Sequence, residues 1–203
     1  MICITSDATA TNYDTPALQG DQGAQPREIQ RIIVTHDGGP DALQVVEEDY
    51  PQPRCGEVRG KVLAAGVSLP DVLAPESVHP ETPRVPYTPG WDLVGVVDQI
   101  GAGVSDFELG QRVAAMPISG CYAQYVCLPQ RKFVPVSAGL DPVKAVAVVL
   151  NYITAYQMLT RSVKVKPGQR VLIHGASGGV GTALIQLGHL AGARTRGRRS
   201  RSI

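Results

Sequence analysis

The stretch that decides the fold is HGASGGVGTALIQLGHLAGA, residues 174–193. It reads as a strand end, a glycine-rich turn and a helix. Before it, QRVLIHG has the apolar run of a buried strand and stops on glycine. After it, Leu184, Leu187 and Leu190 recur at helical spacing and are expected to share one buried face. Within ASGGVG, the residues Ala176, Gly178 and Gly181 hold the three key places of a G-x-G-x-x-G fingerprint, with Ser177, Gly179 and Val180 completing the turn. A small residue at 176 permits the tight turn, Gly178 lets backbone approach a pyrophosphate, and Gly181 lets the helix pack closely on the strand. The amides and positive partial charge at the helix N-terminus suit phosphate. Taken alone, the motif fits a tight strand–helix turn of any α/β protein equally well.

Working outward, residues before Leu140 read as short strands. EIQRIIVTH, ALQVVEEDY, EVRGKVLAAGVS (57–68), WDLVGVVDQIG (91–101), GQRVAAM, GCYAQYVCLP and KFVPVSAG (132–139) are strand-like, separated by turns. The glycines of the 57–68 run suggest a bulge or a close backbone approach. LPDVLAP is expected to make a short helical turn. The loop 79–90, HPETPRVPYTPG, carries four prolines and excludes helix or central strand. From Leu140 the pattern turns helical, with Asp141 and Pro142 as N-cap and first-turn residues. Strands first, then helix–strand–helix, implies a mixed α/β chain: a small β domain followed by the start of an α/β domain. The expected boundaries are 1–28, a polar disordered extension; 29–135, the β domain; 136–193, a partial nucleotide-binding domain; and 194–203, an arginine-rich tail.

Composition narrows the function classes. The 203 residues are 43% apolar, enough for a packed core, and 22 glycines and 16 prolines favour turns over a helical bundle. One Trp and two Phe leave the core mostly aliphatic. The net charge of +1 hides an asymmetry: Arg194, Arg196, Arg198, Arg199 and Arg201 supply five of the 19 basic residues, so residues 1–193 carry 14 basic against 18 acidic residues, or −4. A basic footprint is not spread over the fold, which argues against a nucleic-acid partner; binding by the tail alone is the rival reading. Cys3, Cys55, Cys121 and Cys127 lack C-x-x-C spacing, which speaks against a cysteine zinc site and fits a reducing, cytoplasmic compartment. No apolar run reaches the length of a membrane span, and residues 1–28 have neither the apolar core of a signal peptide nor the basic character of a mitochondrial transit peptide.

Several long stretches in order carry a more specific signal: VLAAGVSLPDVL (62–73), PYTPGWDLVGVVDQIGAGV (86–104), GQRVAAM (110–116), GCYAQYVCLP (120–129), VVLNYITAYQML (148–159) and KPGQRVLIHGASGGVGTALIQLG (166–188). Together they resemble the medium-chain dehydrogenase/reductase family, in its zinc-free quinone oxidoreductase branch. The resemblance implies a GroES-like β-barrel domain, then a Rossmann domain, with the active site between them. It implies NADPH as hydride donor and small quinones or α,β-unsaturated carbonyls as substrates, and it leaves room for a homodimer. Zinc-dependent relatives place a Cys ligand where this chain has Ser68 and a His where it has Trp91; neither can replace a thiolate or an imidazole, so no metal is expected.

Catalysis without zinc rests on positioning, with a proton from a side chain or water. The branch usually has Asn at the place of Ser68, near the nicotinamide; the shorter serine offers one hydroxyl. Asn151 and Thr154 match positions that approach the nicotinamide side of the cofactor, whereas Tyr152 and Tyr156 read as packing residues. Tyr87 is expected to line the substrate cleft. His79 lies near where related enoyl reductases carry a tyrosine proton donor; a solvated histidine in a proline-rich loop is the rival reading. The resemblance further implies more βα units after Ala193, and ARTRGRRSRSI lacks the β-branched residues that would bury a second strand. The chain therefore reads as a truncated enzyme with weak or absent NADPH binding; a non-catalytic GroES-like binding or dimerisation module is the alternative.

Overall fold

The computed structural model describes residues 2–5, 28–76 and 80–198, the first four by their backbone alone. The chain divides into two compact units, 1–146 and 147–203.

The first unit is built around one long strand. Strand β4 (Glu57–Val67) pairs antiparallel with β5 (Leu93–Ile100) along one edge. Its other edge takes β7 (Tyr125–Pro129) at residues 57–61 and β1 (Ile2–Thr5) at residues 64–67. Beyond β5 follow β6 (Arg112–Ala115) and β8 (Phe133–Pro135), completing a six-stranded sheet. Strands β2 (Glu28–Val34) and β3 (Leu43–Asp49) form a separate antiparallel hairpin. The register of β4 on β5 shifts at Arg59/Gly60 and at Val62/Ala64. The expected irregularity is there, but only the first shift falls at a glycine. Gly95 explains the close approach of the two strands: a Cβ there would stand 2.5 Å from the Lys61 carbonyl oxygen.

Alternation along these strands sends Val58, Leu93, Val97 and Val113 into one core. Phe107 and Phe133, the only phenylalanines in the chain, meet there edge to face with centroids 6.3 Å apart. Arg59 is also buried, its side chain 1% exposed. Its Nε and Nη2 both reach Asp98 Oδ2 at 2.6 Å, and its Nη1 donates to the Pro51 carbonyl at 2.8 Å. The guanidinium also stacks 4.0 Å over the Tyr50 ring. Each of its nitrogens thus has an acceptor, which is the condition for burying it.

Helix α1 (Leu69–Leu73) follows β4 directly, at the place the sequence assigns to a helical turn. Helix α2 (Pro142–Gln157) starts as the Asp-Pro pair predicts: Lys144 N–H donates to Asp141 Oδ1 at 3.0 Å. It runs across the division at 146/147 and ends in a π-helical turn, Met158–Ser162.

In the second unit, β9 (Arg170–His174) leads into the glycine turn and helix α3 (Gly179–Leu190). Ala155, Leu159, Ile173, Ala183 and Leu184 make a small core of their own. Leu187 packs against it, but Leu190 is 84% exposed, against expectation. Each three-residue step falls about 60° short of a full helical turn, so a run of such steps leaves the buried face.

Two further expectations need correction. The arginine-rich end is not without structure: β10 (Arg194–Arg198) pairs parallel with β9, Arg194 opposite Arg170 and Arg198 opposite His174. No buried β-branched run is needed, because the side facing α3 takes small groups. Thr195 lies against Gly188 and Gly197 against Ala176, where added Cβ atoms would leave contacts of 2.6 Å. Likewise, part of the extension expected over 1–28 is ordered as β1, because it completes the hydrogen bonding of the β4 edge.

Candidate functional site

Each unit holds its own group of candidate residues. In the second unit, the turn after β9 opens on Gly175, in the left-handed region at φ +65°. Gly178 is the N-cap of α3, its amide donating to the Gly175 carbonyl at 2.9 Å. The first helical amide to return to a turn carbonyl is Thr182 N–H, which donates to Gly178 at 2.8 Å. The amides of Gly179, Val180 and Gly181 are left at the helix mouth, as at any helix start. The two outer glycines differ in what requires them. A Cβ at Gly181 would collide with the Gly175 carbonyl oxygen and with Ala176 Cα. At Gly178 it would meet only Gly175 O, at 3.3 Å. Gly181 is therefore demanded by packing, whereas Gly178 is barely constrained by the protein and is free to suit a ligand. The donors suit a diphosphate: several amides, a helix N-terminus and no carboxylate nearby in the chain.

Asn151 reaches this turn. Its side-chain amide packs over Gly179, where a Cβ would stand 2.7 Å from Asn151 Oδ1. Thr154, one turn along α2, is half-buried. Tyr152 is a packing residue as expected, its hydroxyl donating to Gln186 Oε1 at 2.5 Å. Tyr156, expected to pack, is instead exposed.

In the first unit, Ser68 follows β4 directly and caps α1. Asp71, three residues on, reaches back: its Oδ2 accepts from the Ser68 amide at 2.8 Å and from the Ser68 hydroxyl at 2.7 Å. Asp71 is buried, and desolvation raises its pKa above the ordinary carboxylate value. The Ser68, Tyr122 and Gly90 donors partly offset that rise. The Tyr122 hydroxyl oxygen also lies 3.1 Å from the Gly66 carbonyl oxygen, so its one hydrogen is shared between that group and Asp71. Gly90, at φ +100°, has no room for a Cβ beside Tyr122 and Cys121, so the loop before Trp91 is pinned over this group.

Tyr87 is fixed by its backbone, which exchanges hydrogen bonds with Val34 at 2.7 and 3.2 Å. Its hydroxyl is buried without a hydrogen-bond partner among the described residues. Burial first, then the charges of Asp37 and Asp71, raises its pKa. Asp71 thus binds Ser68 directly and acts on Tyr87 through its charge alone. His79 lies outside the described residues. Among the described residues no three His, Cys, Asp or Glu side chains converge as metal ligands. A cavity of about 250 Å³ beside Arg31, Val45, Cys121 and Tyr122 includes neither Ser68 nor Tyr87 in its wall.

The residues 54–138 match the alcohol dehydrogenase GroES-like domain. A quinone oxidoreductase of Lama guanicoe is 37% identical over 163 residues, 79% of this chain and 49% of the relative. This chain is similar to proteins of the medium-chain dehydrogenase/reductase family. Solved structures of that fold superpose well. Human synaptic vesicle membrane protein VAT-1 homolog-like protein gives a TM-score of 0.81 at 29% identity, covering 85% of this chain and 56% of that one. The Escherichia coli quinone oxidoreductase complexed with NADPH gives 0.79 at 28% identity, covering 85% and 53%. The chain spans about half the length of the curated relatives it matches.

Sequence reasoning does not single out Asp71 or Tyr122. Asp71 carries a readable signal, the Ser-x-x-Asp spacing of a helix cap ahead of VLAP. Tyr122 carries none, because it meets Asp71 only through the fold.

Proposed function

We propose that this chain carries the cofactor cradle and the substrate-facing hydroxyls of an NADPH-dependent, zinc-free quinone or enone oxidoreductase. The observation that carries the reading is the mouth of α3: three amides without helical partners, beside a Gly178 that packing scarcely constrains. Quinone oxidoreductases among the relatives, one solved with NADPH, support the cofactor and the substrate class. Ser68 and Trp91, standing where zinc-dependent relatives have thiolate and imidazole, support a site without metal.

When bound, NADPH supplies a hydride from its nicotinamide. The amides of Gly179 to Gly181 would hold its diphosphate, with Ala176 and Ser177 shaping the turn beneath. Asn151 and Thr154 would lie toward its nicotinamide. Ser68 orients the substrate oxygen, and Asp71 decides how. With Asp71 ionised, the Ser68 hydrogen is committed to Oδ2 and the serine oxygen can only accept. With Asp71 protonated, the Ser68 hydrogen is released to donate to a carbonyl or quinone oxygen. Tyr87 supplies a second hydroxyl, and His79 keeps the proton-donor role that the resemblance implies. The substrates are then small quinones or α,β-unsaturated carbonyls, handled by a cytoplasmic protein able to form a homodimer.

Calorimetric titration with NADPH tests the reading. The expected result is weak, saturable binding, abolished by Gly178→Asp, with slow or no turnover of a small quinone. A titration without saturable heat, or one indifferent to that substitution, overturns it. A second reading has its own observation: residues 1–146 form a unit with a self-contained core, as a non-catalytic GroES-like binding or dimerisation module would.

A further inference from the structure

The second unit holds nine of the 19 basic residues and none of the 18 acidic ones, because the last acidic residue is Asp141. It therefore carries +9 against −8 for the first unit. The pairing of β9 with β10 concentrates much of that charge. Residues alternate between two faces along a strand. Val171, Ile173, Thr195 and Gly197 face α3. Arg170, Leu172, His174, Arg194, Arg196 and Arg198 take the other face, and all six are exposed. Arg170 stands directly opposite Arg194, an unfavourable pair of like charges. The ion pairs of the described residues, Arg31–Glu48 and Arg59–Asp98, involve none of these four arginines.

We infer that this face is a docking surface for the phosphate backbone of double-stranded nucleic acid, read without regard to sequence. Three observations favour that occupant. Arg194, Arg196 and Arg198 project in a row with a repeat of about 6.6 Å, two strand residues. Along one strand of a duplex, successive phosphates lie roughly 7 Å apart through space, since each ~3.4 Å of axial rise comes with a rotation about the axis. Guanidinium groups pair with phosphate in bidentate fashion. The face has no aromatic ring on which unpaired bases could stack, and one leucine, too little to anchor a lipid surface. A polyanion would also relieve the Arg170–Arg194 repulsion. The inference is independent of hydride transfer.

Fluorescence anisotropy with a labelled duplex of arbitrary sequence tests it on the full chain. If four guanidiniums each neutralise one phosphate, affinity falls roughly 100-fold between 50 and 200 mM salt. The Arg194→Gln/Arg196→Gln/Arg198→Gln variant should bind far more weakly, and its loss over the same salt range should shrink to about threefold. Lys164→Gln/Lys166→Gln, off this face, should bind like the parent. A far-ultraviolet spectrum unchanged in the triple variant separates lost binding from lost folding, and Arg196→Lys, which keeps the charge, should retain most of the affinity. No duplex binding at low salt overturns the inference. So does binding indifferent to the triple substitution, or a preference for polyglutamate or for anionic vesicles over the duplex.

Discussion

Asp71 is where one side chain decides most. Its native pKa is raised, so the folded state holds the proton more tightly than the unfolded chain. Its contribution is full below the ordinary carboxylate pKa and is lost as pH rises through the native value. Asp71→Asn keeps an acceptor for Ser68 but cannot ionise. Urea midpoints followed from pH ~4 to ~7 should move in favour of the variant as pH rises; a constant gap refutes the assignment. The glycine turn offers a second contrast. Gly181→Ala forces a Cβ into the Gly175 carbonyl and should cost about 1–3 kcal/mol, seen as a lower melting temperature. Gly178→Ala should cost less in stability and more in NADPH affinity. The thiols make a third. Cys55 is exposed, Cys121 is buried, and burial pushes the Cys127 thiol up to about 11. Alkylation of the native protein near neutral pH, mapped by peptide, should mark Cys55 and spare Cys121 until urea unfolds it. The turn is legible in the sequence because glycine spacing encodes its chemistry directly. The Asp71–Tyr122 neighbourhood is not, because no local pattern links residues that meet only across a sheet.

Between β4 and β5 the buried Arg59–Asp98 pair ties one strand to the next. Removing one partner strands a charge, so Arg59→Ala should destabilise the protein by about 3–5 kcal/mol. Arg59→Met/Asp98→Leu, which removes both, should recover much of that loss in denaturant titrations; equal losses would show that the aromatic stack on Tyr50, not the ion pair, carries the cost. Most strands are legible from alternation and turn residues, β2 to β5 among them. GCYAQYVCLP is only half legible: its first half lies outside any strand, and β7 begins at Tyr125. Cys121 and Tyr122 there pack under Gly90 instead of joining a ladder. At the other end, β10 escapes a reading based on apolar content, because a strand facing small residues on one side and solvent on the other needs little of it.

For the molecule as a whole, the division at 146/147 predicts how it comes apart. Limited trypsinolysis should leave a resistant fragment ending near Lys144, somewhat beyond the 135/136 boundary read from the change of pattern, while fragments of the second unit disappear first. Survival of an intact chain, or uniform degradation, would contradict two units of unequal stability. The order of most strands and helices, and the place of the glycine turn between β9 and α3, are readable from the sequence alone. Those features rest on local rules: a period of two or 3.6, the steric freedom of glycine, the caps of helices. The three-dimensional fold was needed to bring Asp71 to both Ser68 and Tyr122, to bury Arg59, and to set Arg194, Arg196 and Arg198 along one face of a parallel ribbon. Each of these depends on which strand pairs with which and in what register, and register is fixed by contacts between residues far apart in the chain.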